Sequence, residues 1–407
     1  MNHFIHMRSL TAAVLKRNRS LFAPDLEQYH DELAQRIRGR NILVIGGAGT
    51  IGSSFLRALL RIAEPRQCIV ADTNENALTE LVRDLRSSTG YFLPKSLITY
   101  PVNFNDPVFY KILQKEGPFD IVANFAAHKH VRSEKDLFSI EAMVNNNVLY
   151  AGKLLKTLSD MGGLEHFFAV STDKAANPVS VMGASKKIME DLLMAYSGTL
   201  PITTARFANV AFSNGSLLQG FIERLMKRQP LSSPNDIRRY FVSPDESGEI
   251  CMMSCLLGNS GEIFFPKLDP EKDLISFSDI AVEFLKQFNY RPRFAATEQE
   301  AREWADSLDP DSDEYPVYFF SSDTSGEKSY EEFFTADETL DLRRFNQLGV
   351  ILNTPRKPLE VLDSLLLQLR RVFEDPQAGK ADLVAALSQY LPTFHHIETG
   401  KGLDQKM

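Results

Sequence analysis

Two stretches of the 407-residue chain hold residue types that could do chemistry together. Val170-Ser171-Thr172-Asp173-Lys174 sets hydroxyls, a carboxylate and an amine in a row, and Met182-Gly183-Ala184-Ser185-Lys186 brings a second amine. A carboxylic acid beside an amine is a candidate acid/base pair, one group giving a proton and the other taking one. Lysine serves as a base only if its pKa falls, through burial or through a nearby charge such as that of Lys186. The plain alternative is a solvated ion pair. A third stretch, Gly46-Gly47-Ala48-Gly49-Thr50-Ile51-Gly52, binds rather than reacts. Glycines at 46, 49 and 52 permit a tight turn, close backbone approach to a pyrophosphate and close helix packing. The amides of Thr50, Ile51 and Gly52 would open a helix whose positive end faces the phosphates. Asp72 follows 20 residues after Gly52. It is placed to bond a ribose 2′-hydroxyl and to repel a 2′-phosphate, which favours NAD over NADP. A glycine turn with no ligand is the competing account.

These residues need a frame, and the apolar pattern supplies one. Strands are expected at Asn41–Ile45, Cys68–Ala71, Leu97–Pro101, Ile121–Asn124, Phe167–Ser171 and Ile202–Phe207. Between them the pattern predicts helices over Ser53–Ile62, Glu75–Leu85, Ile140–Leu158 and Ala184–Tyr196. Strand–helix alternation means an α/β fold, a doubly wound parallel sheet of Rossmann type. Its strands are short and continuously apolar because both faces are buried. The glycine turn then follows the first strand, and Thr172-Asp173-Lys174 falls at a strand's carboxyl end, where open sheets take their ligands.

The expected domains are a helical extension over 1–38, a dinucleotide-binding domain over 39–207, and a smaller substrate-binding domain over 208–407. The last includes C-terminal helices, one over Leu359–Phe373, and segments that return to the first sheet. An acidic insertion is expected at Glu298–Glu314.

Composition narrows the function classes. A net charge of −8 argues against a general nucleic-acid binder. Cys68, Cys251 and Cys255 make neither a disulfide framework nor a zinc site, and they are expected to be buried thiols. No metal is expected. No apolar run is long enough to span a bilayer. The first 24 residues hold Arg8, Lys16, Arg17 and Arg19 without an acid, a composition seen in transit peptides, but the plain expectation is a cytoplasmic protein.

The G-x-x-G-x-x-G spacing resembles the extended short-chain dehydrogenase/reductase family. More specifically, Ser171-Thr172-Asp173-Lys174-Ala175, Asn177-Pro178 and Met182-Gly183-Ala184-Ser185-Lys186 resemble the polysaccharide-biosynthesis branch of nucleotide-sugar 4,6-dehydratases. So do Asn124–Val131, Arg206–Val210, Ser213–Ser216, Arg239–Phe241 and Gly326–Glu332, and the likeness spans roughly Asn41 to Phe334. In most of the wider family a tyrosine stands where this chain has Met182, and many members of the branch share the methionine.

The resemblance implies a UDP-N-acetylglucosamine 4,6-dehydratase that holds NAD or NADP tightly and recycles it. It implies Lys174 as the base at C5, Asp173 as the acid at O6, and Thr172 as a hydrogen-bond partner of O4. Lys186 would hold the nicotinamide ribose. Met182 cannot take a proton, so the base for the 4-hydroxyl is Lys186 through a water or Asp173 itself. For the cofactor it implies Asn103 and Phe104 beside adenine, with Asn103 in place of an Asp, and Ala126 beside the turn. For the UDP-sugar it implies Lys129, His130, Asn209, Ser216 and Arg239, with His128 nearby. Thr324-Ser325 stands where relatives carry Arg-Pro, which removes an arginine that others aim at UDP. Family habit implies a homo-oligomer. Two other functions remain open: a UDP-sugar 4-epimerase, whose mark would be a tyrosine at 182, and a cofactor-binding protein without turnover.

Overall fold

The computed structural model describes residues 6–129, 134, 136–322 and 331–397. The chain begins with α1 (Met7–Leu15) and α2 (Ala23–Ile37), then alternates β1 (Asn41–Ile45), α3 (Thr50–Ile62), β2 (Gln67–Asp72), α4 (Glu75–Ser87), β3 (Ser96–Pro101), α5 (Pro107–Glu116) and β4 (Ile121–Asn124). Next come α6 (Leu137–Val144), a π-helical stretch Asn145–Leu149, α7 (Tyr150–Met161), β5 (His166–Val170), a 3-10 turn Asp173–Ala175, α8 (Val181–Tyr196) and β6 (Ile202–Ala205). The second half holds β7 (Asn209–Val210), α9 (Leu217–Met226), β8 (Leu231–Pro234), β9 (Arg238–Val242), α10 (Pro244–Leu257), β10 (Ile263–Pro266), β11 (Leu274–Ser276), α11 (Phe277–Gln287) and β12 (Arg291–Phe294). It closes with α12 (Glu298–Asp306), β13 (Glu314–Phe320), β14 (Thr339–Asp341), β15 (Leu348–Leu352), α13 (Leu359–Glu374) and α14 (Lys380–Tyr390).

The main sheet has nine strands in the order β14-β15-β10-β6-β5-β4-β1-β2-β3. From β3 to β10 every pair is parallel, and β15 and β14 close the edge antiparallel. This is the Rossmann-type α/β sheet. The chain runs outward from β1 to β3 and resumes at β4 on the other side of β1. A crevice therefore opens at the carboxyl ends of β1 and β4. Burial of every residue of β1 and β4 explains the apolar runs Ile42–Ile45 and Ile121–Ala123.

The helix expected over Ile140–Leu158 is interrupted. Asn145, Asn146 and Asn147 begin the π-helical stretch, and Asn147 turns its amide to the backbone of His128 and to Ser185 Oγ, at 2.9 and 3.2 Å. Asparagine competes with helical backbone bonds, and such a bulge lets a side chain leave the regular helix face. Helix α5 lies outside the expected pattern although Asp106 caps it and Pro107 starts it. The acidic stretch 298–314 folds as α12, capped by Thr297, and the start of β13.

One apolar cluster fills both faces of the main sheet and takes in α2, α13 and α14. A second cluster joins Phe221, Phe284, Leu231 and Tyr315 to Leu10 and Val14 of α1. Residues 6–37 are thus packed into both clusters. Cys68, Cys251 and Cys255 are buried thiols, the last two on α10, and burial raises all three pKa values.

Candidate active site

The glycine turn lies at the crevice. Gly46 has φ +70°, a left-handed value that favours glycine. A Cβ there would stand 2.6 Å from the Ala126 nitrogen, so β1 and the residue after β4 touch backbone to backbone. A Cβ on Gly52 would meet the Gly46 carbonyl oxygen at 2.3 Å, which ties the start of α3 to the turn. Asp72, the last residue of β2, accepts hydrogen bonds from the Ala48 and Asn74 amides at 3.0 and 2.9 Å. Its carboxylate therefore shapes the turn as well as facing the crevice's edge.

The first turn of α3 tests whether a dinucleotide fits. No side chain caps it, and Gly49 is its N-cap. By contrast α4, α8, α9, α10 and α11 are closed by Asn74, Ser180, Ser216, Ser243 and Ser276. A bare helix start at a sheet's switch point suits a phosphate. Asn103 sits exposed beyond β3, its side-chain Oδ1 accepting from the Asn105 backbone amide at 2.8 Å. Phe104 is buried edge-on against Tyr150, so it offers backbone rather than ring to a ligand.

The reactive residues gather at the end of β5. Thr172 caps the 3-10 turn that carries Asp173 and Lys174, and its hydroxyl donates to Asp173 Oδ1 at 2.9 Å. Lys174 Nζ is 3.0 Å from Asp173 Oδ1 and 3.8 Å from Glu331 Oε1. The Asp173 and Glu331 side chains are 4% and 3% exposed and that of Lys174 19%, so this is no solvated ion pair.

Lys186 Nζ donates to the Val170 carbonyl at 3.1 Å, which puts its ammonium at the same strand end. Met182 is buried, its amide bonded to Glu134 Oε1 at 2.9 Å. Glu190, one turn beyond Lys186, accepts from Ser171 Oγ at 2.6 Å and pairs with the buried Arg206.

The two lysine pKa values are shifted in opposite directions. Desolvation lowers Lys186 to about 8, with Glu190 opposing. Desolvation also acts on Lys174, but the Asp173 and Glu331 carboxylates outweigh it and raise that pKa, with Arg239 pulling the other way. The expectation that Lys174 becomes a base through a lowered pKa is therefore corrected: the depressed amine is Lys186, because a buried ammonium without a contacting carboxylate loses more than it gains.

Arg239, on β9, is 4% exposed and donates to the Arg238 carbonyl at 3.0 Å. Asn209 begins β7, opposite Phe241 of β9, and so reaches the same region. The Ser216 oxygen caps α9 by accepting from the Gln219 amide at 3.2 Å. The Asn214 amide, in the same segment, donates to Thr50 Oγ1 at 3.0 Å, tying this loop to the glycine turn. Lys129 and His128 are open to solvent, and partial desolvation lowers both pKa values. His130 and Thr324–Tyr330 lie outside the described residues. Three residues of the site went unassigned in the sequence: Asn147, Glu134 and Glu331. The first sits in an asparagine run that weakens a helix and Glu331 lies in the family-like segment Gly326–Glu332, both readable signals; Glu134 has no local one.

A family model described as polysaccharide biosynthesis protein matches residues 42–352. The chain belongs to that family. It is a member of the polysaccharide-biosynthesis type within the extended short-chain dehydrogenase/reductases. An uncharacterized membrane protein of Methanocaldococcus jannaschii is 29% identical over 79% of this chain and 88% of its own length. Among the described residues here, no helix is long and apolar enough to cross a membrane.

The probable polysaccharide biosynthesis protein EpsC of Bacillus subtilis is 29% identical over 62% of this chain, an alignment that takes in 43% of EpsC. An inverting UDP-N-acetylglucosamine 4,6-dehydratase of Campylobacter jejuni is 25% identical over 58% of this chain and 69% of its own length. Pen from Bacillus thuringiensis shares the fold, with TM-score 0.62 and 20% identity over 82% of this chain and 98% of its own.

Proposed function

We propose that this chain is a UDP-N-acetylglucosamine 4,6-dehydratase that yields a UDP-4-keto-6-deoxy-N-acetylhexosamine. The observation that carries the reading is the buried Asp173–Lys174 contact of 3.0 Å, at a strand end two places along the sheet from the strand that leads into the glycine turn and its uncapped helix. The chain's similarity to a dehydratase with that substrate supports it. Residues 39–207 would hold the cofactor and much of 208–407 the UDP-sugar.

A nicotinamide dinucleotide, NAD on the strength of Asp72, would supply the oxidant for C4 and return the hydride at C6. Lys186, near neutrality at about 8, is suited to take the 4-hydroxyl proton through a water. The ketone then acidifies the C5 hydrogen. Lys174 and Asp173 share one proton across their contact. Its passage from ammonium to carboxylate makes the base and the acid at once. Lys174 takes the proton from C5, and Asp173 protonates O6, which leaves as water. The ammonium of Lys174 later returns its proton to C5. Lys174 is then one proton short of the starting ammonium, and the proton from the 4-hydroxyl makes up the balance. Arg239 suits a diphosphate oxygen by bidentate contact, and Asn209 and Ser216 line the same path.

Incubation with UDP-N-acetylglucosamine and no added reductant should give a keto product lighter by one water. In deuterated water, the product should carry deuterium at C5. A product of unchanged mass would sink the dehydratase and favour a 4-epimerase, which has no task for the Asp173–Lys174 pair. No hydride exchange on any UDP-sugar would favour a protein that only binds its cofactor.

A further inference from the structure

We propose that Glu331 is the third member of the Asp173–Lys174 acid/base pair, a positioning residue that stabilises the ammonium form of Lys174 during proton abstraction at C5. The inference rests on the dehydratase reading and adds a residue to it.

The Glu331 carboxylate stands 3.8 Å from Lys174 Nζ and its side chain is 3% exposed. A buried carboxylate is costly unless a cation or hydrogen-bond donors hold it. Facing Lys174 are Asp173 from the same 3-10 turn, Glu331 from the segment before β14, and Arg239 from β9. The adjoining Glu332 is directed elsewhere, accepting from the Asn177 amide at 2.9 Å. Two carboxylates thus bear on the Lys174 amine.

Their tasks differ. Asp173 must lose its charge to act as the acid at O6, and at that moment it stops stabilising a cation on Lys174. Among the described residues, Glu331 is then the remaining carboxylate within ion-pair reach. When Lys174 takes the C5 proton, the new positive charge forms beside an anion already in place, and such fixed charges lower the barrier to the step that creates the opposite charge. The ammonium is also held until C5 is reprotonated. Glu331 touches neither substrate nor cofactor in this account. It acts through Lys174.

The test compares wild type with Glu331→Gln and Glu331→Asp. The first readout needs no turnover: the rate at which a small acylating reagent modifies Lys174, followed by peptide mass spectrometry across pH. Loss of a contacting opposite charge should move the midpoint for Lys174 down by about one pH unit in Glu331→Gln, with Glu331→Asp near wild type. The second readout is kinetic. In Glu331→Gln the alkaline limb of the kcat profile should move down with that midpoint by about one pH unit, and KM for the UDP-sugar should stay within about twofold.

An unmoved Lys174 midpoint overturns the proposal, as does a rise in KM at constant kcat. If Glu331→Gln fails to fold, Glu331→Ala decides in its place: the Lys174 midpoint must fall while the thermal midpoint holds, and an unmoved midpoint overturns the proposal. Should wild type dehydrate no UDP-sugar, the dehydratase reading fails by itself, and the labelling midpoint still reports on the Glu331–Lys174 coupling.

Discussion

At the scale of single residues, two lysines at one strand end have opposite environments. Lys174 lies between carboxylates and Lys186 against a carbonyl and a thioether. Lys174→Ala should keep nucleotide binding and lose deuterium uptake at C5, read by mass spectrometry in deuterated water; uptake at the normal rate removes Lys174 from the mechanism. Lys186 makes a prediction about stability. Its pKa is depressed from 10.5 to about 8, so folding carries a penalty below about pH 8 that fades as pH rises to 10.5. Lys186→Met removes that penalty and the bond to Val170. The net gain should be about 2 kcal/mol at pH 7 and absent near pH 11. Urea denaturation at the two pH values checks this, and the variant should be inactive.

At the scale of elements, the crevice depends on backbone approaches that side chains cannot enter. Gly52→Ala would force a Cβ against the Gly46 carbonyl oxygen at 2.3 Å. Either α3 shifts or the turn opens, so cofactor affinity should fall by at least tenfold while most of the sheet survives, measurable by calorimetric titration with NAD. An unchanged affinity would show that the turn does not hold the dinucleotide. Neighbouring elements reinforce the turn: Asp72 of β2 holds Ala48, and Thr50 accepts the amide of Asn214 from the loop before α9. Thr50→Val should therefore raise KM for the UDP-sugar more than it weakens NAD binding.

At the scale of the whole molecule, the N-terminal residues are structural. Arg17 reaches both oxygens of the buried Glu246 carboxylate, at 2.9 and 2.7 Å, and the Phe241 carbonyl at 2.9 Å. Arg17→Ala leaves that carboxylate with the Leu21 and Ser243 amides but no cation, and should cost about 2 kcal/mol in urea denaturation. Nearby, burial pushes the Glu249 carboxyl up to about 7, with Ser20 as a hydrogen-bond donor and Glu246, Asp245 and Arg61 around it. A carboxyl raised in the fold releases its proton later than in the unfolded chain. Stability is therefore lost as pH rises from 4.5 to about 7. Glu249→Gln should flatten that fall, leaving the variant about 2 kcal/mol more stable than wild type at pH 8.

Much of this molecule was legible in its sequence, for reasons of locality. A parallel strand is a short apolar run and a phosphate turn is a set of glycines, so β1, β4 and the turn at Gly46–Gly52 follow from neighbours along the chain. The adjacency of Asp173 and Lys174 is likewise covalent. Charge state is not local. Whether a lysine is raised or lowered depends on carboxylates that the fold brings from afar, and Glu331 reaches Lys174 only because the segment before β14 is drawn back to the sheet. The same holds for α1, whose Leu10 and Val14 show their purpose once Phe221 and Phe284 stand beside them. Sequence determined which groups could react and the frame that carries them; tertiary structure decided which lysine gives up its proton more readily, because electrostatic energy depends on distance through space and on exclusion of water.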